Sequence, residues 1–255
     1  MSRPMLTVRN SVLKVGLLTL LALGLLTASA AAKKIEVAVG WTKPPYVIEK
    51  NNTGFEVELL RNIFKSMGHT FVPIYVPYGR SYYLLQIGKV DATMTLSSRL
   101  DISPAVMSDP YINYHNVAVS LKGRGITIDR ISELANYSLV GFQNASIFLG
   151  DEYKAASERS RFYVELPDQK KQVEMLLLGR TDVVVMDINI FNYLSREIIG
   201  SSHMGNVDVH RIFPVNAYRL GIYDPQLRDE FNKALVKYKN SPDYQKLVEQ
   251  YEFID

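Results

Sequence analysis

The sequence predicts an α/β fold with mostly parallel sheets, organised in two similar lobes. Short β-rich runs alternate along the chain with runs whose apolar residues have helical spacing, and this alternation is typical of α/β layers. Two segments, Gly88–Ala92 (GKVDA) and Gly179–Val183 (GRTDV), are near copies, and each lies between a helical pattern and a β-rich run. They stand about 90 residues apart, which indicates that one structural unit occurs twice.

Between residues 34 and 96 the predicted order is strand, helix, strand, helix, strand. Apolar residues at Val57, Leu60 and Phe64 give the first helix its periodicity, and Gly68 follows it as a helix-ending glycine. Gly88 closes the second helix in the same way. The predicted elements are Lys34–Val39, Glu56–Met67, Phe71–Val76, Ser81–Ile87 and Val90–Leu96.

The second half of the chain repeats this pattern and adds two helices at its end. Asp168 and Asp187 stand where an aspartate caps the helix that follows it. Asp224-Pro225 and Ser241-Pro242 each combine a capping residue with a proline at the first helical position. The predicted elements are a strand at Tyr137–Phe142, a loop at Gln143–Ser146, a helix at Gln172–Leu178, a buried strand at Val183–Met186, a helix from Asp187 through Ile199, extended stretches at Val207–Phe213 and Arg219–Tyr223, and the two C-terminal helices.

Residues 1–32 have the features of a secretory signal peptide that is cleaved. Three basic residues precede a 12-residue apolar run, Val15–Leu26, and small residues follow it. An Ala-x-Ala pattern occurs at Ala28–Ala30 and again at Ala30–Ala32, so we expect cleavage near Lys33. The alternative is an uncleaved membrane anchor, which the short run disfavours because a bilayer span needs about 20 apolar residues. The sequence therefore predicts a secreted, periplasmic protein.

Composition narrows the classes of partner. Without the three basic residues of 1–32, the 29 basic residues fall to 26 and equal the 26 acidic ones, so the remaining chain is formally neutral. A neutral chain gives no electrostatic reason to expect nucleic-acid binding, which needs a basic face. The absence of cysteine excludes disulfides, thiolate chemistry and a lipid-anchored N-terminus. The four histidines have no metal-ligand spacing, and we expect neither a metal nor a cofactor.

Short motifs follow one another along the chain in a characteristic order: Pro44-Pro45-Tyr46, Gly54–Leu59 (GFEVEL), Gly88–Ala92, Ser108–Tyr111 (SDPY), Val140–Gln143 (VGFQ), Gly179–Val183 and Asp187. With this ordered set the chain resembles the extracellular solute-binding proteins of family 3, the polar amino-acid receptors of bacterial ABC importers. The resemblance covers about Ile35 to Phe253. Two features depart from the family pattern: Glu56 stands where the family usually has aspartate, and the stretch Asp91–Ser108 is shorter than usual.

The resemblance implies a periplasmic-binding-protein fold of type II, in which two lobes joined by two hinge strands close on a ligand. Lobe one would comprise residues 33–118 plus 212–255, and lobe two residues 119–211. The hinge crossings would lie near Asn116–Leu121 and Val209–Phe213. A small polar ligand, such as an amino acid or a related carboxylate, would bind in the interlobe cleft. We expect a monomer that delivers this ligand to a membrane ABC permease or signals to a membrane sensor protein.

The carboxylate of an amino acid calls for an arginine surrounded by hydroxyl or N–H donors. The resemblance implies a clamping arginine between Asp91 and Ser108. Arg99 is the candidate there, and Thr95 and Ser97 would assist it. Because this stretch is short, Arg80 is an alternative clamp. For Arg99 the competing interpretation is an exposed loop arginine.

The ammonium group of an amino acid calls for a carboxylate. Asp187 matches the ammonium-binding aspartate of the family, although it could equally serve only as a helix cap. By their family positions, Tyr46 and Phe142 are candidates for packing against the ligand. Asn144 and Ser146 could donate to the ligand or serve only the turn in which they lie.

An enzymatic function on the same fold is the alternative from a different class. A periplasmic dehydratase, similar to cyclohexadienyl dehydratase, would need a proton donor such as Asp187. The sequence shows no recognisable catalytic pair, so we expect binding without turnover and assign no catalytic residue.

Overall fold

The computed structural model describes residues 32–40 and 42–254. The predicted signal peptide, residues 1–32, lies outside this part of the chain except for its last residue. Within the described part, no helix combines the length and apolar character that crossing a membrane requires.

The first sheet has five strands: β1 (Lys34–Val39), β2 (Thr70–Tyr75), β3 (Ala92–Ser97), β4 (Met107–Tyr114) and β10 (Asn216–Ile222). Their order across the sheet is β2-β1-β3-β10-β4. β1 is parallel to β2 and β3, whereas β10 is antiparallel to β3 and β4. Four strands therefore run in one direction and β10 runs in the other.

Four helices flank the first sheet: α1 (Phe55–Ser66), α2 (Tyr78–Gln86), α7 (Pro225–Lys239) and α8 (Pro242–Tyr251). α1 packs on β2, α7 and α8, and it buries the apolar stripe that its sequence pattern predicts. Val57, Leu60 and Phe64 of this stripe are fully buried. We call this sheet and its helices the first lobe.

The second sheet repeats the design with β5 (Asn116–Leu121), β6 (Ser138–Phe142), β7 (Phe162–Leu166), β8 (Val183–Asp187) and β9 (Val207–His210). Its order is β7-β6-β8-β5-β9, and β5 is the reversed strand. The helices α3 (Ala145–Phe148), α4 (Asp151–Arg159), α5 (Gln169–Leu177) and α6 (Ile188–Ile199) belong to this second lobe.

The chain passes between the sheets twice, at His115, which separates β4 from β5, and over residues 211–215, which separate β9 from β10. Both passages lie close to the predicted crossings. The lobe boundaries at 118/119 and 211/212 stay a prediction.

The predicted α/β fold with two mostly parallel sheets is confirmed, with one reversed strand in each sheet. The predicted caps are confirmed as well. The side chains of Asp168, Asp187, Asp224 and Ser241 each accept hydrogen bonds from the first main-chain N–H groups of the helix that follows.

The sequence patterns missed β4, α4 and β7, and the predicted loop 143–146 is wrong in its second half, where Ala145 and Ser146 begin α3. The reason lies in burial. α4 buries few apolar residues, and β4 alternates poorly because Asp109 and Pro110 are exposed within it. Local periodicity is therefore weak in both elements.

Candidate functional site

A cavity of about 390 Å³ lies between the two sheets, a size typical of small-molecule sites. The first lobe contributes the chain after β1, the start of α2 and residues of β3, β4 and β10. The second lobe contributes the start of β5, the end of β6, α3, the start of α5 and the junction of β8 with α6. The described residues that line the cavity are Gly40, Thr42, Lys43, Pro77, Gly79, Thr95, Tyr114, Asn116, Phe142, Gln143, Phe148, Pro167, Gln169, Asp187, Ile190 and Tyr218.

Asp187 lies at the end of β8 and lines the cavity, although its exposed fraction is 2%. Its Oδ1 accepts from the N–H groups of Asn189 (2.9 Å) and Ile190 (3.1 Å) and from the hydroxyl of Tyr46 (3.1 Å). Its Oδ2 accepts from the N–H of His115 at 2.8 Å. Burial raises the pKa of Asp187 to about 6, and these hydrogen bonds oppose the rise only in part. The carboxylate is fixed in position and ionised at pH 7.

Tyr46 lies in the first lobe behind Asp187, and its hydroxyl reaches across to the second lobe. Its ring stacks on Tyr114, with the centroids 4.1 Å apart. Gly54, at a φ of 111°, passes so close to the main chain of Tyr46 that a Cβ would not fit there. The next turn of chain lets the N–H of Glu56 donate to the Tyr46 carbonyl at 3.0 Å. The motifs around Tyr46 and Gly54 therefore form one structure beside the cavity.

A buried ion pair, which the sequence analysis did not predict, lies on the first-lobe side. Glu56 is fully buried and accepts hydrogen bonds from Thr95 (2.6 Å), Tyr114 (2.8 Å) and Tyr111. Lys43 Nζ lies 3.3 Å from Glu56 Oε2 and donates to Thr95 Oγ1 at 3.0 Å. Burial lowers the pKa of Lys43, while Glu56 opposes that shift. The Lys43–Glu56 pair is neutral as a unit.

Thr95 holds a strained backbone conformation at the cavity wall. Its φ is 62°, in the left-handed region that β-branched residues rarely adopt. The N–H of Thr95 donates to the Tyr111 hydroxyl at 2.9 Å, and its side chain joins the Lys43–Glu56 pair. Strain of this kind persists where several contacts enforce it, and such positions cluster at ligand sites.

The other predicted clamp residues do not line the cavity. Ser97 is buried at the end of β3, where its hydroxyl accepts from the N–H of Arg99 at 3.2 Å. Arg99 is exposed, and its guanidinium packs against Gly150 of the second lobe. The charge of Arg99 opposes the rise in the pKa of Tyr218 that burial causes, so Arg99 lies near this lining residue. Arg80 is exposed in the first turn of α2.

The loop after β6 makes its polar contacts within the protein. The N–H groups of Asn144 and Ser146 donate to the carboxylate of Glu165, at 2.7 and 2.8 Å. The hydroxyl of Tyr163 donates to the same carboxylate at 2.7 Å. Burial alone would raise the pKa of Glu165, but these bonds hold it below its ordinary value. Glu165 thus occupies the main-chain N–H groups of Asn144 and Ser146, two residues that could donate to a ligand or serve only the turn.

Two lining side chains carry polar atoms without a protein partner. Asn116 stands opposite Asp187 in the β5–β8 pairing, and its exposed fraction is 4%. Its Nδ2 is buried and forms no hydrogen bond. The buried Oε1 of Gln169, at the start of α5, also forms none. Buried polar groups are normally satisfied, so this unpaired donor and this unpaired acceptor at the cavity wall are available to a ligand or to water.

Aromatic rings complete the walls. Tyr114 and Tyr218 pack edge to face on the first-lobe side, 4.9 Å between centroids. Phe142 stacks with Phe148 at 6.4 Å on the second-lobe side. Aromatic faces attract cations and favour flat or apolar ligand surfaces.

Of the nine predicted ligand residues, the structure brings Thr95, Phe142 and Asp187 to the cavity, and Tyr46 directly behind it. The sequence analysis missed Lys43, Asn116 and Gln169. Lys43 directly precedes the Pro44-Pro45-Tyr46 motif, a position that could have drawn attention to it. Whether each of the nine binds a ligand stays a prediction. Besides Tyr46, five of the nine do not line the cavity: Arg80, Ser97, Arg99, Asn144 and Ser146.

Comparison with known proteins gives one family. The model of the bacterial extracellular solute-binding proteins, family 3, matches residues 35–254. No curated protein matches the chain.

Solved structures share the fold at low sequence identity. A substrate-binding protein of an ABC uptake transporter from Streptococcus pneumoniae, with bound histidine, is 16% identical at a TM-score of 0.67, covering 86% of this chain and 92% of its own. A histidine kinase sensor domain with similarity to periplasmic binding proteins is 19% identical at 0.69, covering 86% and 96%. An ancestral amino acid-binding protein, a precursor of cyclohexadienyl dehydratase, is 21% identical at 0.65, covering 86% and 95%.

Proposed function

Since the chain belongs to the bacterial extracellular solute-binding proteins, family 3, we propose that it binds a small polar solute with an ammonium group, in the cavity between its lobes. Amino acids and their close relatives are the first class to test. One observation carries the proposal: Asp187 is a buried, ionised carboxylate at the cavity wall and forms no ion pair with any residue that the structure describes.

A buried carboxylate without a counter-ion in contact with it is unfavourable even when it accepts hydrogen bonds. The more distant charge of Lys43 does not prevent burial from raising the pKa of Asp187. A ligand ammonium would supply the missing charge. Because Tyr46 of the first lobe donates to Asp187 of the second, the ammonium would be bound where the lobes already meet. Binding there favours the closed arrangement of the lobes.

The arginines predicted to clamp a ligand carboxylate, Arg99 and Arg80, would contact only a ligand that extends beyond the residues that line the cavity. Arg99 would be the nearer of the two, because it packs on Gly150 close to the lining residue Tyr218. Arg80 stands on the exposed side of α2.

The biological role that fits this proposal is capture of the solute outside the cytoplasmic membrane. The predicted signal peptide would export the chain to the periplasm, where it would deliver the solute to an ABC importer. Alternatively, we propose that the solute-bound protein signals to a membrane sensor protein, since one solved structure with this fold is a histidine kinase sensor domain.

We propose binding without chemical turnover. The observation that favours the enzymatic alternative is Asp187 itself, since a carboxyl group with a pKa of about 6 in a cavity is suited to general acid catalysis. Mass spectrometry of each solute after long incubation with the protein decides between them. Unchanged solute supports binding, and loss of water from the solute supports a dehydratase.

The direct test of the proposed function is a thermal-shift screen of amino acids, amines and small carboxylates, because a ligand raises the melting temperature by mass action. Hits are then titrated by calorimetry against wild type and Asp187→Asn. We expect amine-bearing hits that lose affinity in the variant. Hits restricted to solutes without an amine would refute the proposal.

A further inference from the structure

The positive charge at the cavity wall already has a partner. Among the described lining residues, Lys43 is the basic one, and it is paired with Glu56 at 3.3 Å. Two of its three N–H donors point to Glu56 and Thr95. A ligand carboxylate at Lys43 would therefore face the buried charge of Glu56 across the same ammonium group.

A second possible site for a ligand carboxylate, the N–H groups of the loop after β6, is already occupied by a protein side chain. The N–H groups of Asn144 and Ser146 hold the carboxylate of Glu165, with Tyr163 as a third donor. A ligand anion would have to displace an internal one. The arginines Arg80 and Arg99 do not line the cavity.

The net charge of the cavity lining is negative. Lys43 and Glu56 cancel, so the described lining residues, taken with the ion-pair partner of Lys43, carry one net negative charge, on Asp187. Arg99 is outside this set, and its charge acts on the lining at Tyr218. The two unpaired polar atoms beside it are uncharged: the Nδ2 donor of Asn116 and the Oε1 acceptor of Gln169. A carboxylate cannot donate to Gln169, whereas a carboxamide donates and accepts.

We propose that the cleft selects organic cations that combine an ammonium group with an uncharged amide or hydroxyl group, and that it disfavours ligands with a carboxylate. The inference rests on the proposed function, because it takes the ammonium at Asp187 as given. The uncharged polar group would satisfy Asn116 and Gln169, while the remainder of the ligand would lie against Tyr114, Tyr218 and Phe142. Sites with buried polar groups reject analogues that leave those groups unpaired.

The test uses matched pairs of probes that differ only at the carboxyl position: leucine and leucinamide, phenylalanine and phenylalaninamide, glutamine and glutaminamide. Each is titrated by calorimetry into the mature protein at pH 7. We expect the amide to bind at least tenfold more tightly than the free acid in each pair. Equal affinities, or tighter binding of the acids, would overturn the inference.

A matched pair of variants tests the role of the unpaired donor. Asn116→Ala removes the Nδ2 group, and we expect it to weaken binding of the tightest amide by about tenfold. Asn113→Ala, on β4, the strand that precedes β5 along the chain, changes an exposed asparagine outside the cavity and should leave that affinity unchanged. Melting temperatures of both variants check that the fold is kept. A folded Asn116→Ala protein that binds the amide as wild type does would refute the assignment.

The variant Asp187→Asn separates failure of this inference from failure of the proposed function. Suppose that free acids bind as tightly as amides and that both lose affinity in Asp187→Asn. The ammonium site at Asp187 is then supported, and the preference for ligands without a carboxylate is refuted. A further loss for acids of more than tenfold in Arg99→Lys would show that Arg99 is the anion clamp. If Asp187→Asn changes neither class of probe, the proposed function fails as well.

Discussion

The substitution Asp187→Asn separates ligand binding from helix capping, because asparagine caps helices about as well as aspartate does. In the ligand-free protein, burial raises the pKa of Asp187 from 3.8 to about 6. A rise of about 2 pKa units means that keeping this carboxylate ionised in the fold costs about 3 kcal/mol at pH 7. A neutral asparagine does not carry this cost.

The Asp187→Asn variant also loses a hydrogen bond, which offsets part of this gain in stability. The side-chain oxygen of the asparagine can accept the three bonds now made to Oδ1, but its amide nitrogen would face the N–H of His115, which donates to Oδ2 at 2.8 Å. Leaving that donor unpaired costs about 1–3 kcal/mol. The two effects oppose each other, so we expect the free energy of unfolding of the ligand-free protein at pH 7 to stay within about 2 kcal/mol of wild type.

We expect Asp187→Asn to change ligand affinity much more than it changes the stability of the fold. Removing the charge that pairs with a desolvated ammonium weakens binding by about 2–5 kcal/mol, which is roughly a 30-fold loss or more. The assays are chemical denaturation without ligand and calorimetric titration with the tightest hit of the solute screen. Asp224→Asn is the matched control, since Asp224 also caps a helix through two N–H groups but lies outside the cavity. It should change neither quantity appreciably.

One result would refute this reasoning. If Asp187→Asn binds the solute with wild-type affinity while keeping its fold, Asp187 is a structural cap and the ligand has no ammonium at this position. The case for amine solutes would then fail.

We expect four further outcomes from the sequence and the structure. Mass spectrometry of the exported protein should find an N-terminus near Ala31 or Lys33, and a membrane-bound product that retains residues 1–32 would contradict the signal peptide. Because the pKa of Asp187 is about 6 in the fold, affinity for an amine should be about tenfold lower at pH 5 than at pH 7.5 in wild type, and calorimetry should find this dependence lost in Asp187→Asn. For the same reason the contribution of Asp187 to the stability of the ligand-free protein decreases as pH rises from about 4 to 6, which denaturation of wild type and Asp187→Asn at both pH values measures. Glu56→Gln leaves Lys43 without its buried counter-charge, so titration with the probe pairs should find a smaller amide-to-acid preference, and an unchanged ratio would contradict the role of the pair.

Much of the fold could be predicted from the sequence because the signals are local. An aspartate or serine before a proline is enough to start α7 and α8, since the cap and the fixed proline φ act within one turn of the chain. Gly88 and Gly179 end helices for a similar reason, with φ near 65° in both. The strand β4 was not predicted because its burial depends on β10, which is about 100 residues further along the chain.

The residues of the site also differ in whether local sequence patterns or long-range packing identifies them. Asp187 can be recognised from the sequence as the end of a buried strand and the start of a helix, since both features lie in neighbouring residues. A family motif contains Phe142, and Thr95 was predicted as a residue that assists Arg99. Which charges are already paired depends on the tertiary structure. Lys43 meets Glu56, and Glu165 meets Asn144 and Ser146, through contacts between separate elements. Pairing between distant residues depends on where the elements pack, and local sequence patterns do not contain that information.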